Sequence, residues 1–194
     1  MTKLRGIRLL LLCVPLLVVA VLAQAQARGR PAGPRGVLLE RLTWVEAEKI
    51  LTPDTVVVIP LGAQAKEHGP HLPLGNDWNM AEYLKQQVLQ SADVVIAPTV
   101  NYSYYPPFLE YPGSTSLRLE TARDMIVDIC RSLSRFGPRR FYVLNTGIST
   151  LKALRPAAEA LAAEGILLRF TDLTTATADV EIRRCPNGET QRGE

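Results

Sequence analysis

The sequence predicts an α/β domain with a mostly parallel sheet and helices on both faces. Continuous runs rich in Val and Ile lie at residues 55–60 and 93–98. Such runs are typical of strands that are buried on both faces of a sheet. Segments with helical spacing of apolar residues separate these runs, and strands that alternate with helices form parallel sheets.

Each element has its own local signal. Thr43 and Glu46 fit a capping box that opens a short helix to about Leu51. We expect Asp77 to cap the next helix, and Gly165 to end the last one. The predicted helices are Thr43–Leu51, Asp77–Gln90, Glu120–Phe136 and Thr150–Glu164. The predicted strands are Thr55–Pro60, Asp93–Pro98, Arg140–Leu144 and Ile166–Phe170.

The N-terminus has the order of a secretory signal peptide. A basic segment is followed by an unbroken apolar run, residues 9–22, and by small residues around Ala25 and Ala27. The run is shorter than the roughly 20 apolar residues that span a bilayer, so an uncleaved membrane anchor is the weaker interpretation. We therefore expect an exported protein, periplasmic or secreted, with no stable membrane span after cleavage.

Charge argues against a nucleic-acid partner. Lys3, Arg5 and Arg8 of the signal account for the whole formal net charge of +3, which leaves a neutral body with no electrostatic attraction for phosphates. The two cysteines beyond the signal, Cys130 and Cys185, could form a disulfide after export. The alternative is a core thiol in a helix and a free thiol in the tail.

The loop after the first predicted strand carries the candidate chemistry. It contains both histidines of the protein, His68 and His71, with Glu67 beside them and Asp77 at the next helix. Ligands of α/β sheets lie beyond the carboxyl ends of the strands. Imidazole and carboxylate groups bind divalent metals, which activate water for hydrolysis. The alternative is a rigid loop whose histidines bind backbone groups.

The loop after the second strand is dense in tyrosine. Its aromatic side chains would form a wall for a small planar substrate, or would merely cover the sheet edge. The tyrosines are Tyr102, Tyr104, Tyr105 and Tyr111. Ser114 and Ser116 follow them, but no free base accompanies them for a serine triad.

Three stretches together resemble the creatininase family. GAQAKEHGPHLPLGND at 62–77 is similar to the signature G-S-x-E-Q-H-G-P-H-L-P-L-x-x-D, and YPGSTSL at 111–117 resembles F-P-G-T-I-S-L. LNTGIST at 144–150 stands where members have N-G-H-G-G-N. The resemblance covers about residues 37–182. It implies a three-layer α/β/α fold, one or two divalent metals, often Zn or Mn, and hydrolysis of non-peptide C–N bonds in small amides. It also implies a possible homo-oligomer.

Carried over position by position, the resemblance gives an incomplete ligand set. His68 and Asp77 match metal ligands of the family, but Lys66 stands at a glutamate and Gly147 at a histidine. No segment like the family's later H-A-G-E-x-E-T-S is present, so we expect the C-terminal part of the domain to be missing.

Two interpretations of the site remain open. Glu67 and His71 would complete a rearranged catalytic site, or Lys66 would pair with Asp77 near His68 and give a metal-free one. The candidate catalytic residues are thus Lys66, Glu67 and His71, and the candidate substrate-binding residues are Tyr104, Tyr105 and Tyr111.

Three functions follow from these interpretations. The first is an exported metal-dependent amidohydrolase, and the second is a degenerate or truncated member that at most binds a small molecule. The third is an unrelated exported α/β binding protein. The predicted organisation is a signal at 1–25, a flexible leader at 26–36, the domain at 37–182 and a polar tail at 183–194.

Overall fold

The computed structural model describes residues 33–176. The predicted signal, its cleavage sites, most of the leader, Cys185 and the predicted tail lie outside the described residues. The strands are β1 Val37–Leu38, β2 Val56–Leu61, β3 Val95–Ile96, β4 Arg140–Asn145 and β5 Leu167–Phe170. The helices are α1 Trp44–Ile50, α2 Asn76–Ser91, α3 Leu119–Ser134, α4 Leu151–Ala162 and α5 Leu173–Ala176.

The five strands form one parallel sheet in the order β1-β3-β2-β4-β5. The longest pairing joins β2 to β4, from Val56 opposite Arg140 to Leu61 opposite Asn145. β2 therefore lies at the centre of the sheet, with β3 and β1 on one side of it and β4 and β5 on the other. The predicted parallel α/β fold is confirmed, and all four predicted strands are present.

Helices cover both faces of this sheet. On one face, α3 and α4 pack over the larger core, which includes Val57, Ile59, Val143 and Cys130. On the other face, α2 packs through Leu89 onto a smaller cluster formed with Val58, Ile96 and Leu38. The arrangement is the predicted three-layer α/β/α fold. No helix within residues 33–176 is both long enough and apolar enough to cross a membrane.

Three details differ from the sequence prediction, and one is the four-residue helix α5, which was not predicted. Strand β1 was not predicted, because two residues carry no recognisable periodicity. The predicted capping role of Asp77 is wrong, since α2 has Gly75 at its N-cap and Asp77 lies inside the first turn. The capping box of Thr43 and Glu46 is confirmed, with both reciprocal hydrogen bonds present.

Candidate functional site

The candidate site lies at the carboxyl end of β2, where the strand passes into the histidine-containing loop. Gly62 allows this loop to run directly against α2. A β-carbon on Gly62 would lie 2.4 Å from the Asp77 carbonyl oxygen and 2.7 Å from Ala81 Cβ. The amide of Trp78 donates to the Ala63 carbonyl at 3.0 Å. This close approach holds the first turn of α2, and with it Asp77, beside the loop.

Lys66, His68 and Asp77 come together at this position. Lys66 Nζ lies 2.6 Å from Asp77 Oδ2, and His68 Nε2 lies 2.7 Å from Asp77 Oδ1. Lys66 and Asp77 are buried, with 8% and 5% of their surface exposed. A buried charge is costly unless it is paired. The pairing with Asp77 is therefore what allows an ammonium group to be buried here.

The contacts within this group are close but not well aligned. The ion-pair distances are short, yet Asp77 Oδ2 and both ring nitrogens of His68 have no aligned hydrogen bond within the described residues. Buried polar atoms normally have such a partner. The Lys66–Asp77 pair is thus held by charge and packing more than by directional bonds, and His68 Nδ1 has bonding capacity left.

Aromatic side chains from the next loop cover the Lys66 ammonium. Nζ lies 4.7 Å from the centre of the Phe108 ring and 5.6 Å from that of Tyr105. Both distances are within the range of cation–π attraction. Tyr105 is buried, and its burial, with a further contribution from the Asp77 carboxylate, raises the pKa of its hydroxyl. The Tyr105 phenol therefore stays protonated at neutral pH.

Serine and threonine side chains fasten the tyrosine-rich loop to the histidine loop. The amide of Glu67 donates to Ser114 Oγ at 2.9 Å, and the amide of Tyr105 donates to Ser116 Oγ at 2.8 Å. Thr115 donates through its amide to the Ala65 carbonyl at 2.9 Å. The hydroxyls of the YPGSTSL stretch therefore position backbone, which explains their presence without a serine triad.

The loop after β4 is organised by Asn145. Its Nδ2 donates to the Gly147 carbonyl at 2.6 Å and to the Thr171 carbonyl at 3.1 Å. Its Oδ1 accepts from the Gly147 amide and from the Thr150 hydroxyl. Thr146 Oγ1 lies 3.0 Å from the Leu61 carbonyl. Asn145 thus joins the ends of β4 and β5, and Thr146 ties this loop to the end of β2.

The predicted site residues divide into two groups. Lys66, His68, Asp77 and Tyr105 are together in the structure. The first three are the residues that the metal-free interpretation placed side by side, and whether the site binds a metal stays a prediction. Glu67 does not join His68 and Asp77 in a group that could hold an ion, as judged over residues 33–176. Its Oε1 accepts from the amide of Gly69 in its own loop.

The remaining predicted residues lie outside the central group. His71 is exposed, and its ring lies against Gly69. Tyr104 is half-buried, and Tyr111 is 48% exposed. Their catalytic and substrate-binding roles stay predictions.

Two functional positions were missed from the sequence. Phe108 contacts the ammonium more closely than any tyrosine does, but one phenylalanine among tyrosines and prolines gave no distinctive signal. Asn145 belongs to the N-G-H-G-G-N-like stretch, for which the prediction concerned only Gly147 at the position of the family's histidine. A buried polar residue at the end of a central strand is the signal that would have pointed to it.

The creatininase family model, described as creatinine amidohydrolase, matches residues 40–192. The chain belongs to the creatininase family. A solved creatinine amidohydrolase has the same fold, with a TM-score of 0.64 at 25% identity, over 79% of this chain and 64% of that one.

Relatives within this family have several named activities. Creatinine amidohydrolase of Pseudomonas putida is 29% identical over 57% of this chain and 45% of its own length. The mycofactocin precursor peptide peptidase of Mycolicibacterium smegmatis is 31% identical over 59% and 45%. The 3-dehydro-scyllo-inosose hydrolase of Thermotoga maritima is 26% identical over 58% and 36%. This creatininase-family chain matches less than half of the length of each of these relatives.

The metal that the family implies does not fit the residues present. One solved creatininase is described as the Mn form and another as a Zn–Zn type. In residues 33–176 of this chain, no group of three or more His, Cys, Asp or Glu side chains could hold an ion. A catalytic zinc normally has three protein ligands. At this position the described part of the chain offers His68 and Asp77 as ligands, and the Lys66 ammonium already lies against Asp77.

Proposed function

We propose that this creatininase-family domain binds a small amide-bearing molecule at the carboxyl edge of its sheet, without metal-dependent hydrolysis. The observation that carries the proposal is the 2.6 Å contact between Lys66 Nζ and Asp77 Oδ2. In this contact Asp77, which matches a metal-ligand position of the family, is instead the counter-ion of Lys66. Family membership supports an amide as the ligand, since the relatives include a creatinine amidohydrolase.

The groups available to such a ligand are polar and aromatic. His68 Nδ1 is buried and has no hydrogen-bond partner among the described residues. A neutral imidazole can donate or accept, so an amide that displaces the side chains covering His68 would bond to it. Tyr104 is half-buried, and Tyr111 and His71 are exposed on the adjoining loops. Together these side chains would hydrogen-bond an amide and contact its planar face, as the tyrosine wall predicts.

Two measurements on the purified mature chain test this function. Calorimetric titration with creatinine, formamide and a small cyclic lactam should give saturable binding to at least one ligand. That binding should weaken in His68→Ala. Product analysis over the same concentrations should give no hydrolysis above the rate in buffer. The absence of binding to every amide tested would refute the proposal.

A metal-dependent amidohydrolase is the second candidate. Three buried polar atoms without aligned partners, on His68 and Asp77, are the observation that favours it, because imidazole and carboxylate groups are metal ligands and buried polar atoms normally have a partner. Stoichiometric Zn or Mn in the purified chain, with amide turnover that a chelator abolishes, would establish this candidate in place of the first.

We also propose that the protein is exported. The support is the basic, apolar and small-residue order of residues 1–27. N-terminal sequencing of the exported chain should begin at Gln26 or Arg28. Recovery of chains that begin at Met1 from the soluble cytosolic fraction would contradict export.

A homo-oligomer is the proposed assembly. Large apolar side chains are exposed on the loops around the site: Leu72, Leu109, Tyr111 and Ile148 are 42% to 63% exposed. Exposed apolar side chains mark protein contacts when they form one patch, and the proposal is that these four do so. Light scattering of the mature chain should give a mass above that of the monomer, and Leu109→Ser should lower it.

A further inference from the structure

The surroundings of Lys66 have the composition of a binding site for an organic cation. Asp77 supplies a carboxylate at 2.6 Å from Nζ, and Phe108 and Tyr105 supply ring faces at 4.7 and 5.6 Å. Proteins commonly recognise alkylammonium groups with aromatic faces and a counter-ion. In this chain the cation that fills the cage belongs to the protein itself.

We infer that Lys66 is a tethered cation that occupies this cage in place of a metal ion. The cage, defined by Asp77, Phe108 and Tyr105, accepts an alkylammonium group, and its occupation by Lys66 makes the site reject divalent metals. The inference deepens the proposed function, since both concern the same site. It does not depend on which small molecule binds there.

Charge explains why a metal and Lys66 exclude each other. The Lys66 ammonium neutralises the carboxylate that a divalent ion would require, and its side chain is only 10% exposed. An ion bound to Asp77 and His68 would lie within a few ångströms of Nζ. At that range, repulsion between the two cations lowers metal affinity by orders of magnitude even at an effective dielectric constant near 20. Burial prevents the ammonium from turning away into solvent.

Metal titration tests the first half of the inference. The native chain should show no saturable Zn²⁺ binding at the site. Lys66→Glu, which replaces the cation by a carboxylate, should bind Zn²⁺ at least about tenfold more tightly. The matched control is Lys49→Glu, which makes the same charge change on an exposed residue in the last turn of α1. It should behave like the native chain.

Chemical rescue tests the cage directly. Lys66→Ala removes three methylenes and the ammonium, which n-propylammonium replaces almost atom for atom. Its chloride salt should raise the melting temperature of Lys66→Ala at constant ionic strength. Propanol, which has similar size but no charge, should not. The exposed-site variant Lys49→Ala should show no rescue, and Lys66→Ala combined with Phe108→Leu should be rescued less.

The outcomes decide the inference in either direction. Tight stoichiometric Zn²⁺ binding by the native chain, or equal affinities of native chain and Lys66→Glu, would overturn it. Equal effects of propylammonium and propanol on Lys66→Ala would also overturn it. Failure of amide binding alone would refute the proposed function and leave the cage intact. If Lys66→Glu does not fold, Lys66→Ala with propylammonium still decides.

Discussion

The Lys66 ammonium lies 4.7 Å from the centre of the Phe108 ring, and this contact joins the histidine loop to the short turn Pro106–Phe108. Cation–π attraction contributes about 0.5–2 kcal/mol. Phe108→Leu keeps an apolar side chain but removes the ring face. We expect it to lower the free energy of unfolding by about 1–2 kcal/mol, measured by urea denaturation. Phe136→Leu, at a 63% exposed position, is the control. An equal loss of stability in that variant would show that the Phe108 ring makes no specific contribution through Lys66.

Asn145 offers a second test, because one buried amide serves four backbone and side-chain groups. Asn145→Ala leaves several buried groups without partners, each of which costs about 1–3 kcal/mol. Since some of these groups will relax or find water, we expect a total loss of about 2–4 kcal/mol in chemical denaturation. Asn101→Ala removes one exposed side-chain bond to Gln64 and should cost about 0.5 kcal/mol or less. Similar losses for both variants would contradict the organising role of Asn145.

Gly62 should tolerate no side chain. The β-carbon of Gly62→Ala would lie 2.4 Å from the Asp77 carbonyl oxygen, which is backbone and cannot rotate away. We expect α2 to shift and the free energy of unfolding to fall by about 3 kcal/mol or more. Gly75→Ala is the matched control at the other end of the same loop, where the new β-carbon would make an ordinary 3.5 Å contact. It should cost about 1 kcal/mol, as a changed helix cap does. A fully stable Gly62→Ala would show that the loop has room to move.

The free energy of unfolding should fall at alkaline pH because two buried groups, the Cys130 thiol and the Tyr105 hydroxyl, resist ionisation in the folded chain. Burial raises the pKa of the Cys130 thiol to about 12, and burial together with the Asp77 carboxylate raises the pKa of Tyr105. Above about pH 9 the unfolded chain therefore releases protons that the folded chain retains, so unfolding becomes more favourable as pH rises. Each fully ionising group contributes at most about 1.4 kcal/mol per pH unit.

Urea denaturation of the native chain between pH 8 and pH 11 measures this decline. Cys130→Ala should start from a lower stability, because it leaves a cavity in the core. Its decline between pH 9 and pH 11 should be shallower than that of the native chain. Parallel curves for the two proteins would show that Cys130 does not titrate as its burial requires.

The sequence was sufficient for most of the fold because the elements are strongly patterned. The β-branched run of β2 and the helical spacing in α3 gave their positions within a few residues. The two-residue strands β1 and β3 were the hardest elements to predict, because pairing with neighbouring strands defines them more than their own side chains do. β3 was found only as part of a longer apolar run, and β1 was not found.

The sequence predicted which residues meet at the candidate site, but not which aromatic side chains cover Lys66. The parallel sheet dictates that the loop after β2 reaches the carboxyl edge, and Lys66 and His68, two residues apart, face Asp77 together. The aromatic cover depends on how the loop containing Phe108 folds back through Ser114 and Ser116. These contacts join residues about 10 to 50 positions apart, which no local pattern encodes.

The position of β1 at the edge of the sheet also bears on the order of folding. Among the described strands, β1 pairs with β3 alone, and Arg35 beside it forms an ion pair with Asp93, 58 residues later in the chain. Closing so long a loop costs chain entropy that two paired residues repay poorly. We therefore expect β1 to join a sheet that β2, β3 and β4 have already assembled. Its amide protons should exchange with solvent well before those of β2, so among the described strands the one that enters the sheet last is the one synthesised first.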